Sequence, residues 1–399
     1  MKTRIIGVGA AGNKAAISAV VNEVEKLDNV LLINSTMKDI PEDYRGKKFC
    51  FTDAYGGCGK ERSIAKKLTQ KSILSGDMKL EEFLGMDTEN KAELVVLVSS
   101  TEGGTGSGSV PLLAKYIREQ LKIRVHCFAF TGFEEDGRGL MNTVEYFQEM
   151  QDNFTIECVQ NTKFMSEFNG NKIKAEKAAN EEFCRKIGIL FGNAIRDSDH
   201  NIDPTDLLKV SARTPGYMVI ETRTFSKIKN REQFRDMVTS MVDDSKALDL
   251  NEPSQQRMAV IINIDKDSTD IIDYNDILVD RFGMVFEKYE HIQHEDDMPE
   301  FFAFISAGSK IPVKEIEAIY DKYKSYTSKV DKTQDSFFAK KFEFDDMDSM
   351  FNIDDEDDSE EAPMSAEDFF KKAAEEKNNK FKNTRVKMAV VEEEVEDNY

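Results

Sequence analysis

The chain has 399 residues and a formal net charge of −21, and residues 331–399 alone hold 22 acidic and 10 basic side chains. This length exceeds that of a single hydrophobic core, so we expect two domains followed by a tail. The acidic balance argues against direct binding of duplex DNA, and the sequence lacks both a long apolar run and a signal-peptide pattern. We therefore expect a soluble, cytoplasmic protein with no membrane contact.

Five cysteines without a C-x-x-C pair indicate buried thiols rather than disulfides or a zinc cluster. His291 and His294 lie three residues apart on a predicted helix end, but no Cys or Glu set completes a metal site around them. We therefore assign no metal-ligating residue from the sequence.

Strands and helices alternate along the first 170 residues. Continuous apolar runs, which are typical of strands buried on both faces, occur at 4–6, 30–33, 48–52, 94–99, 125–130 and 155–159. This alternation predicts a parallel sheet with helices on both sides. The loops that follow the strands then meet at one edge of the sheet, where ligands bind.

A glycine-rich loop follows the predicted fourth strand. Gly103-Gly104-Thr105-Gly106-Ser107-Gly108 precedes a helix, and no Gly-Lys-Ser/Thr sequence ends the loop as in a Walker A motif. Glycines let backbone N–H groups approach an anion, Thr105 and Ser107 add hydroxyl donors, and the helix N-terminus favours negative charge. The loop therefore indicates a phosphate site.

A second loop of this kind follows the first strand. Gly7-Val8-Gly9-Ala10-Ala11-Gly12-Asn13 has the spacing G-x-G-x-x-G and opens another helix. A dinucleotide site would place an acidic residue at the end of the second strand, whereas this strand ends in Asn34-Ser35-Thr36. Two phosphate loops without that residue favour a nucleoside di- or triphosphate over NAD.

These motifs resemble those of a known family. The loop at 103–108 resembles the tubulin signature loop, and the loop at 7–13 resembles the first nucleotide loop of the bacterial cell-division tubulin FtsZ. Asn201-Ile202-Asp203-Pro204-Thr205-Asp206-Leu207 resembles the N-x-D-x-x-D/E catalytic loop of the same superfamily. The three motifs lie in family order, so residues 1–330 resemble the tubulin/FtsZ superfamily and are most similar to plasmid- and phage-encoded tubulins of the TubZ and PhuZ type.

The resemblance implies a tubulin/FtsZ-like α/β fold with four consecutive parts. A Rossmann-like, parallel-sheet GTP-binding domain spans 1–173, and a long central helix with the catalytic loop spans 174–207. A smaller C-terminal α/β domain with a closing helix spans 208–330. The acidic tail spans 331–399, and its run of ten acidic and no basic residues at 345–361 predicts disorder.

The resemblance also implies GTP as the nucleotide, with Mg²⁺. The glycine loops would bind the phosphates, Glu134 and Arg138 would lie near ribose and phosphate, and Asn161 and Asn180 would bind guanine. The full set of implied nucleotide contacts is Gly9, Ala10, Ala11, Asn13, Asn34, Gly57, Gly59, Gly103, Gly104, Thr105, Gly106, Ser107, Glu134, Arg138, Asn161 and Asn180.

Two positions depart from the family pattern. The family usually has an aromatic residue that stacks on the base four residues before the helix Asn, whereas this chain has Glu176. The preference for guanine therefore rests on the resemblance more than on the residues. The third loop, at Gly57 and Gly59, also differs from that of FtsZ. The alternative that this loop is a turn without ligand contact therefore stays open.

Asp203 and Asp206 are the implied catalytic residues. They follow a helix of about 20 residues, which spans ~30 Å, and would lie far from the nucleotide of their own subunit. We expect them to orient the attacking water on a neighbouring subunit's nucleotide in a head-to-tail filament. Because Asp203-Pro204 also suits a helix N-cap, Asp206 is the stronger candidate for the water.

The expected function is that of a filament-forming GTPase that completes GTP hydrolysis at the subunit interface. The alternatives are an FtsZ-like division protein, a nucleotide-binding scaffold with little hydrolysis and, more weakly, a dinucleotide oxidoreductase. The acidic residues at 391–399 suit a basic partner, such as a DNA-binding adaptor or a neighbouring subunit, better than an anionic membrane. Positioning of plasmid or phage DNA is therefore favoured over cell division.

Overall fold

A computed structural model describes most of residues 1–337. The ranges outside the described part are 52–55, 151–153, 193–215, 226–227, 229, 249–256, 266–275, 278–279, 282–287, 295–299, 310 and 338–399. The described residues place the helices and strands around one large sheet.

The strands of the described chain form a ten-stranded mixed sheet. They are β1 (Thr3–Val8), β2 (Val30–Asn34), β3 (Lys47–Cys50), β4 (Leu94–Ser100), β5 (Arg124–Thr131), β6 (Thr155–Gln160), β7 (Gly216–Phe225), β8 (Arg257–Asp265), β9 (Lys288–His294) and β10 (Glu300–Ser309). They lie side by side in the order β3-β2-β1-β4-β5-β6-β7-β10-β8-β9. The first seven strands in this order are parallel, which confirms the predicted parallel sheet.

Helices cover both faces of the sheet. They are α1 (Gly9–Val21), α2 (Arg62–Ser75), α3 (Leu80–Phe83), α4 (Gly104–Lys115), α5 (Gly137–Met150), α6 (Asn161–Glu167), α7 (Lys172–Leu190), α8 (Arg231–Asp243) and α9 (Val313–Phe337). Two large apolar clusters, one containing α4 and α5 residues and the other containing α1 and α7 residues, form the core around the sheet. The predicted long central helix corresponds to α7.

Close backbone contacts fix where α1 and α4 begin. A Cβ atom at Gly12 would lie 2.1 Å from the carbonyl oxygen of Val98 in β4, and one at Gly106 would lie 3.0 Å from that of Val8 in β1. The first distance excludes a side chain and the second leaves little room for one, so glycine is needed for this packing. Both helices therefore start at the carboxyl ends of adjacent strands, which positions the two glycine loops side by side.

A buried ionic cluster connects α7 with the sheet. The ammonium of the fully buried Lys186 lies 3.0 Å from Oε1 of Glu157 in β6 and 3.1 Å from Oε1 of Glu221 in β7. Burial opposes the charged ammonium, but Glu221 and Glu157 outweigh burial and raise the pKa of Lys186. Loss of one partner from such a buried pair typically costs about 3–5 kcal/mol, because it leaves an unpaired charge in the interior. The charged groups of α7, β6 and β7 in this cluster therefore depend on one another.

The C-terminal strands continue the N-terminal sheet. β6 and β7 are joined by the pairs Thr155–Gly216 and Ile156–Tyr217, and β10 then pairs antiparallel with both β7 and β8. β9 pairs parallel with β8 and contains His291 and His294. The predicted helix end at these histidines is therefore wrong, because hydrogen bonding to a neighbouring strand decides the conformation there and is invisible in a local pattern.

The predicted closing helix is α9, which packs against α5. Ile319 of α9 forms a small buried apolar cluster with Leu140 and Val144 of α5. The ammonium of Lys322 lies 2.6 Å from Oε2 of Glu134, in the loop between β5 and α5. The closing helix is thus attached to a loop at the carboxyl edge of the sheet.

α9 ends at Phe337, inside the segment that the sequence assigns to the tail. Residues 338–399, including the acidic run at 345–361, lie outside the described part, so disorder there stays a prediction. None of the helices in the described part is long and apolar enough to span a membrane.

Substitution of Gly12 by alanine tests the close packing of α1. Because the added methyl group would overlap the Val98 carbonyl, Gly12→Ala should lower the free energy of unfolding by about 1–3 kcal/mol. Gly137→Ala is the matched control, since its Cβ would meet Tyr323 at 3.6 Å, an ordinary contact distance. Urea unfolding of both variants measures the difference, and equal stabilities would contradict the packing argument.

A candidate nucleotide-binding cleft

A cleft with a volume of about 590 Å³ lies at the carboxyl edge of the parallel strands. Residues at or near the ends of β1, β2, β4 and β5 line it, namely Val8, Asn34, Ser100 and Phe130. This volume is within the range of small-molecule sites, and this edge is where open α/β sheets bind ligands.

The N-termini of α1 and α4 open into the cleft. The residues of their first turns that line it are Gly9, Ala10, Ala11, Gly104, Thr105 and Gly106. Neither helix has a side-chain N-cap or an acidic residue in its first turn, whereas Asn171 caps α7 and Asn230 caps α8. The first-turn N–H groups of α1 and α4 can therefore donate to an anion such as a phosphate.

Polar side chains at the end of β2 border the same loops. Oγ of Ser35 lies 2.7 Å from Oγ1 of Thr105, and Nδ2 of Asn34 donates to Oδ2 of Asp39 at 3.2 Å. All four residues line the cleft. Their hydroxyl and carboxylate oxygens are of the kind that Mg²⁺ binds together with phosphate oxygens, so the donor set fits a magnesium nucleotide.

The loop before α2 also lines the cleft, close to Ser35 and to the start of α4. Gly57 and Gly59 line the cleft and have φ angles of +129° and +53°, which favour glycine. The carbonyl of Lys60 accepts a hydrogen bond from Nδ2 of Asn142 at 2.9 Å, and the Lys60 ammonium pairs with Asp136. The loop therefore brings backbone groups and one cation next to the start of α4.

Glu102 places a largely buried carboxyl group in the cleft, directly before the glycine loop of α4. Its Oε1 accepts the N–H of Glu134 at 2.8 Å, and its carboxyl lies so close to Gly132 that a Cβ there would overlap it. Burial raises the pKa of Glu102, although the Glu134 N–H and the charge of Lys60 oppose that shift. Burial thus makes the charged carboxylate of Glu102 less favourable here than in water, and a bound phosphate would add further negative charge nearby.

The cleft also carries groups that suit a purine base. Asn161 is 7% exposed and lines the cleft, and its Oδ1 has no hydrogen-bond partner among the described residues. Asn180 and Phe133 line the cleft as well. Lys14 of α1 and Glu176 of α7 are also lining residues, with Nζ and Oε2 2.7 Å apart. Amides can both donate to and accept from the edge of a base.

Two of the predicted site residues, Asn13 and Ser107, do not line the cleft, and two others lie outside the described part of the chain. Asn13 is fully buried in α1, does not line the cleft and has no partner for its amide atoms within the described chain. Oγ of Ser107 donates to the Gly103 carbonyl at 2.5 Å, inside α4. Asp203 and Asp206 lie outside the described residues. The catalytic prediction therefore stays a prediction.

Glu134 and Arg138 lie close to the cleft without lining it. Glu134 has a φ of +56° and pairs with Lys322 of α9, while Arg138 pairs with Glu61 before α2. Their carboxylate and guanidinium groups thus bind protein partners, and the predicted contact with ribose and phosphate stays a prediction.

Several lining residues were missed at the level of sequence, namely Lys14, Ser35, Asp39 and Glu102. Three of them lie beside a recognised motif: Glu102 precedes the second glycine loop, Lys14 follows the first, and Ser35 follows Asn34. Asp39 lies further along the chain and has no such signal. Proximity to the motifs was the available signal. It does not distinguish lining residues from neighbours that point away, such as Ser107.

Comparisons with known proteins agree with this architecture. No family model matches the chain. The tubulin-like protein CetZ1 of Haloferax volcanii is 23% identical over 203 residues, which are 48% of this chain and 50% of that protein. The cell division protein FtsZ of Mycoplasmopsis pulmonis is 25% identical over 185 residues, 43% of this chain and 42% of that protein. The chain thus matches half or less of the length of these curated relatives.

Among solved structures, a GTPγS-form protofilament of TubZ from Bacillus thuringiensis serovar israelensis is similar, with a TM-score of 0.70 and 16% identity. The similarity covers 84% of this chain and 94% of that one. The chain has the tubulin/FtsZ fold. The predicted resemblance and fold class are therefore confirmed, including the likeness to TubZ.

Replacement of Glu102 by glutamine tests the electrostatics of the cleft in this tubulin/FtsZ fold. The pKa of Glu102 is raised in the folded state, so folding favours the neutral carboxyl compared with the unfolded state. The contribution of Glu102 to stability is therefore fully present below the ordinary Glu pKa of about 4.3 and is lost as the pH rises through the folded-state pKa. Glu102→Gln should therefore unfold at a higher temperature than the wild type at neutral pH.

Thermal melts at several pH values measure this difference, which should shrink as the pH is lowered. Glu181→Gln, at a half-exposed carboxyl of α7 outside the cleft, is the control and should change little. A Glu102→Gln melting temperature at or below that of the wild type at every pH would contradict the account of the buried carboxyl.

Proposed function

We propose that this chain is a GTP-dependent, filament-forming GTPase that assembles head to tail. The observation that carries the proposal is the convergence of two uncapped helix N-termini, those of α1 and α4, on one cleft at the carboxyl edge of the sheet. The similar TubZ structure is a GTPγS-form protofilament, so an assembly of this fold in a triphosphate-bound form is known.

Each part of the nucleotide has a matching part of the cleft. The N–H groups of α1 and α4 would bind the phosphates, with Mg²⁺ held by phosphate oxygens beside Ser35, Thr105 and Asp39. Asn161 and Asn180 would bind the guanine edge. This assignment is supported by Oδ1 of Asn161, for which the described part of the chain offers no hydrogen-bond partner. GTP is thus the nucleotide that the fold and these amides favour together.

The length of α7 supports catalysis across a subunit interface. α7 has 19 residues and is therefore about 28 Å long, and its first half lines the cleft through Glu176 and Asn180. Asp203 and Asp206 follow the far end of this helix in sequence. We propose that Asp206 orients the water that attacks the nucleotide of the next subunit, because a head-to-tail contact brings the far end of one subunit to the cleft of another.

GTP-dependent assembly is the direct test of this proposal. Light scattering and negative-stain microscopy should show filaments with GTP, few or none with GDP, and phosphate release that follows assembly. Filaments without phosphate release would favour the alternative of a scaffold with little hydrolysis. No assembly with either nucleotide would contradict the proposal.

Asp206→Ala tests hydrolysis in trans. This variant should bind GTP as the wild type does, release phosphate slowly and form long-lived filaments. Gly104→Trp should lose nucleotide binding, because even a Cβ at Gly104 would lie 2.7 Å from the backbone nitrogen of Glu61. When the Asp206→Ala variant is mixed with Gly104→Trp protein, whose Asp206 is intact, phosphate release should return. If Asp206→Ala alone loses GTP binding and hydrolysis to the same extent, Asp206 belongs to the pocket of its own subunit.

The acidic tail supports a role in positioning plasmid or phage DNA through a basic adaptor, with cell division as the alternative. Residues 331–399 carry 22 acidic and 10 basic side chains, so a basic partner is favoured by charge. Removal of residues 338–399, which keeps α9, should leave assembly intact and abolish adaptor capture. Loss of assembly would instead assign the tail to contacts between subunits.

A further inference from the structure

The closing helix α9 contacts a loop that forms part of the cleft. This loop, residues 132–136, joins β5 to α5, and its members Gly132, Phe133 and Glu135 line the cleft. Glu134, in the middle of the loop, does not line the cleft, and its Oε2 lies 2.6 Å from Nζ of Lys322 on α9. One residue of the loop thus faces α9 while its neighbours on both sides border the cleft.

The backbone of Glu134 is strained and is held by its neighbours. Its φ angle of +56° lies in the left-handed region, which residues other than glycine adopt only at a cost in free energy. Its N–H donates to Oε1 of Glu102 at 2.8 Å, its carbonyl accepts the hydroxyl of Tyr326 at 3.4 Å, and its carboxylate pairs with Lys322. Because two of these three contacts come from α9, the helix helps to fix the conformation of the loop.

The same contact balances charge beside the glycine loop of α4. The carboxyl groups of Glu102, Glu134 and Asp136 interact with one another electrostatically, Lys60 pairs with Asp136, and Lys322 pairs with Glu134. Burial opposes the charge of Lys322, but Glu134 outweighs burial and the pKa of Lys322 is raised. Without Lys322, this cluster would hold three carboxyl groups and one ammonium next to the proposed phosphate site.

Attachment of α9 does not by itself explain this ion pair. The side chain of Lys322 is 38% exposed, and pairs exposed to this extent contribute little to folding. The buried apolar cluster of Leu140, Val144 and Ile319 already joins α9 to α5. The position of Lys322 is better explained by its effect on the loop at 132–136.

We propose that Lys322 is a positioning residue for nucleotide binding, which acts from α9 through Glu134. It holds the loop at 132–136 in the conformation that borders the cleft, and it offsets the carboxyl charge that would repel a phosphate. The inference rests on the proposed binding of a guanine nucleotide in this cleft. Because coupling between two sites is reciprocal, a bound nucleotide in turn strengthens the attachment of α9.

Calorimetric titration of the full-length chain with GDP, which avoids assembly, tests the proposal. Lys322→Met should weaken GDP binding about three- to tenfold, within the range found for residues that act on a ligand indirectly. Lys322→Arg keeps the charge and should bind GDP with nearly the wild-type affinity. The loss in Lys322→Met should also shrink at high salt, because ions screen a partly exposed charge.

Lys324→Met is the matched control. Lys324 lies on the same helix, is 57% exposed and pairs with Asp321 of α9, so its removal changes the net charge equally without touching the loop. This variant should bind GDP as the wild type does. Equal losses in Lys322→Met and Lys324→Met would assign the effect to net charge and overturn the proposal.

A double variant tests the route through Glu134. Lys322→Met should weaken GDP binding less in a Glu134→Gln background than in the wild type, because the ion pair is already lost there. The same fold-loss in both backgrounds would show that Lys322 acts independently of Glu134, which contradicts the assigned role.

Hydrogen exchange measures the reciprocal effect. GDP should slow amide exchange at 313–326 of α9 in the wild type and should slow it less in Lys322→Met. Unchanged exchange in the wild type with GDP bound would contradict the coupling. If the wild type binds no guanine nucleotide, the proposed function fails, whereas equal GDP affinity of the wild type and Lys322→Met leaves the proposed function standing and overturns this inference.

Discussion

The structure depends on contacts between backbone atoms at a few glycines. Gly12 allows α1 to meet the carbonyl of Val98, Gly106 allows α4 to approach Val8, and the Cβ of a residue at Gly9 would lie 3.2 Å from the nitrogen of Gly106. These contacts bring two helix N-termini to the same place without intervening side chains. The cleft therefore offers an anion backbone N–H groups, and of the three lysines that line it, Lys14 and Lys60 pair with carboxylates.

α7 extends this arrangement to the second half of the molecule. Its first half lines the cleft, and its second half carries Lys186, which binds carboxylates of β6 and β7 in the interior. Glu157 lies in β6 and Glu221 in β7, which is the last parallel strand before the antiparallel β10. The ionic cluster therefore lies next to the point where the parallel and antiparallel parts of the sheet meet. The segment with Asp203 and Asp206 follows the far end of α7 in sequence, and the length of α7 is the reason why catalysis across an interface is proposed.

The sequence predicted the parts of the fold that leave a local signal. The apolar runs of β1–β6 and the two glycine loops were visible because buried strands and phosphate loops have characteristic patterns. Strand β9 was not, because its pairing with β8 depends on distant residues. Within the site, motif glycines such as Gly104 were placed in the cleft, whereas Lys14 and Glu102 required coordinates, since burial and side-chain direction decide whether a charged neighbour lines a cleft.

The central claim is that the adjacent N-termini of α1 and α4 bind the phosphates of a guanine nucleotide. Equilibrium dialysis with labelled GTPγS tests this claim most directly. The account predicts saturable binding of one GTPγS per chain by the wild type. It also predicts that Gly104→Trp abolishes this binding, because the new side chain would lie between the glycine loop and the backbone at Glu61. An unchanged circular dichroism spectrum shows that the variant is folded. Absence of binding to the wild type, or equal binding by the folded variant, would contradict the account.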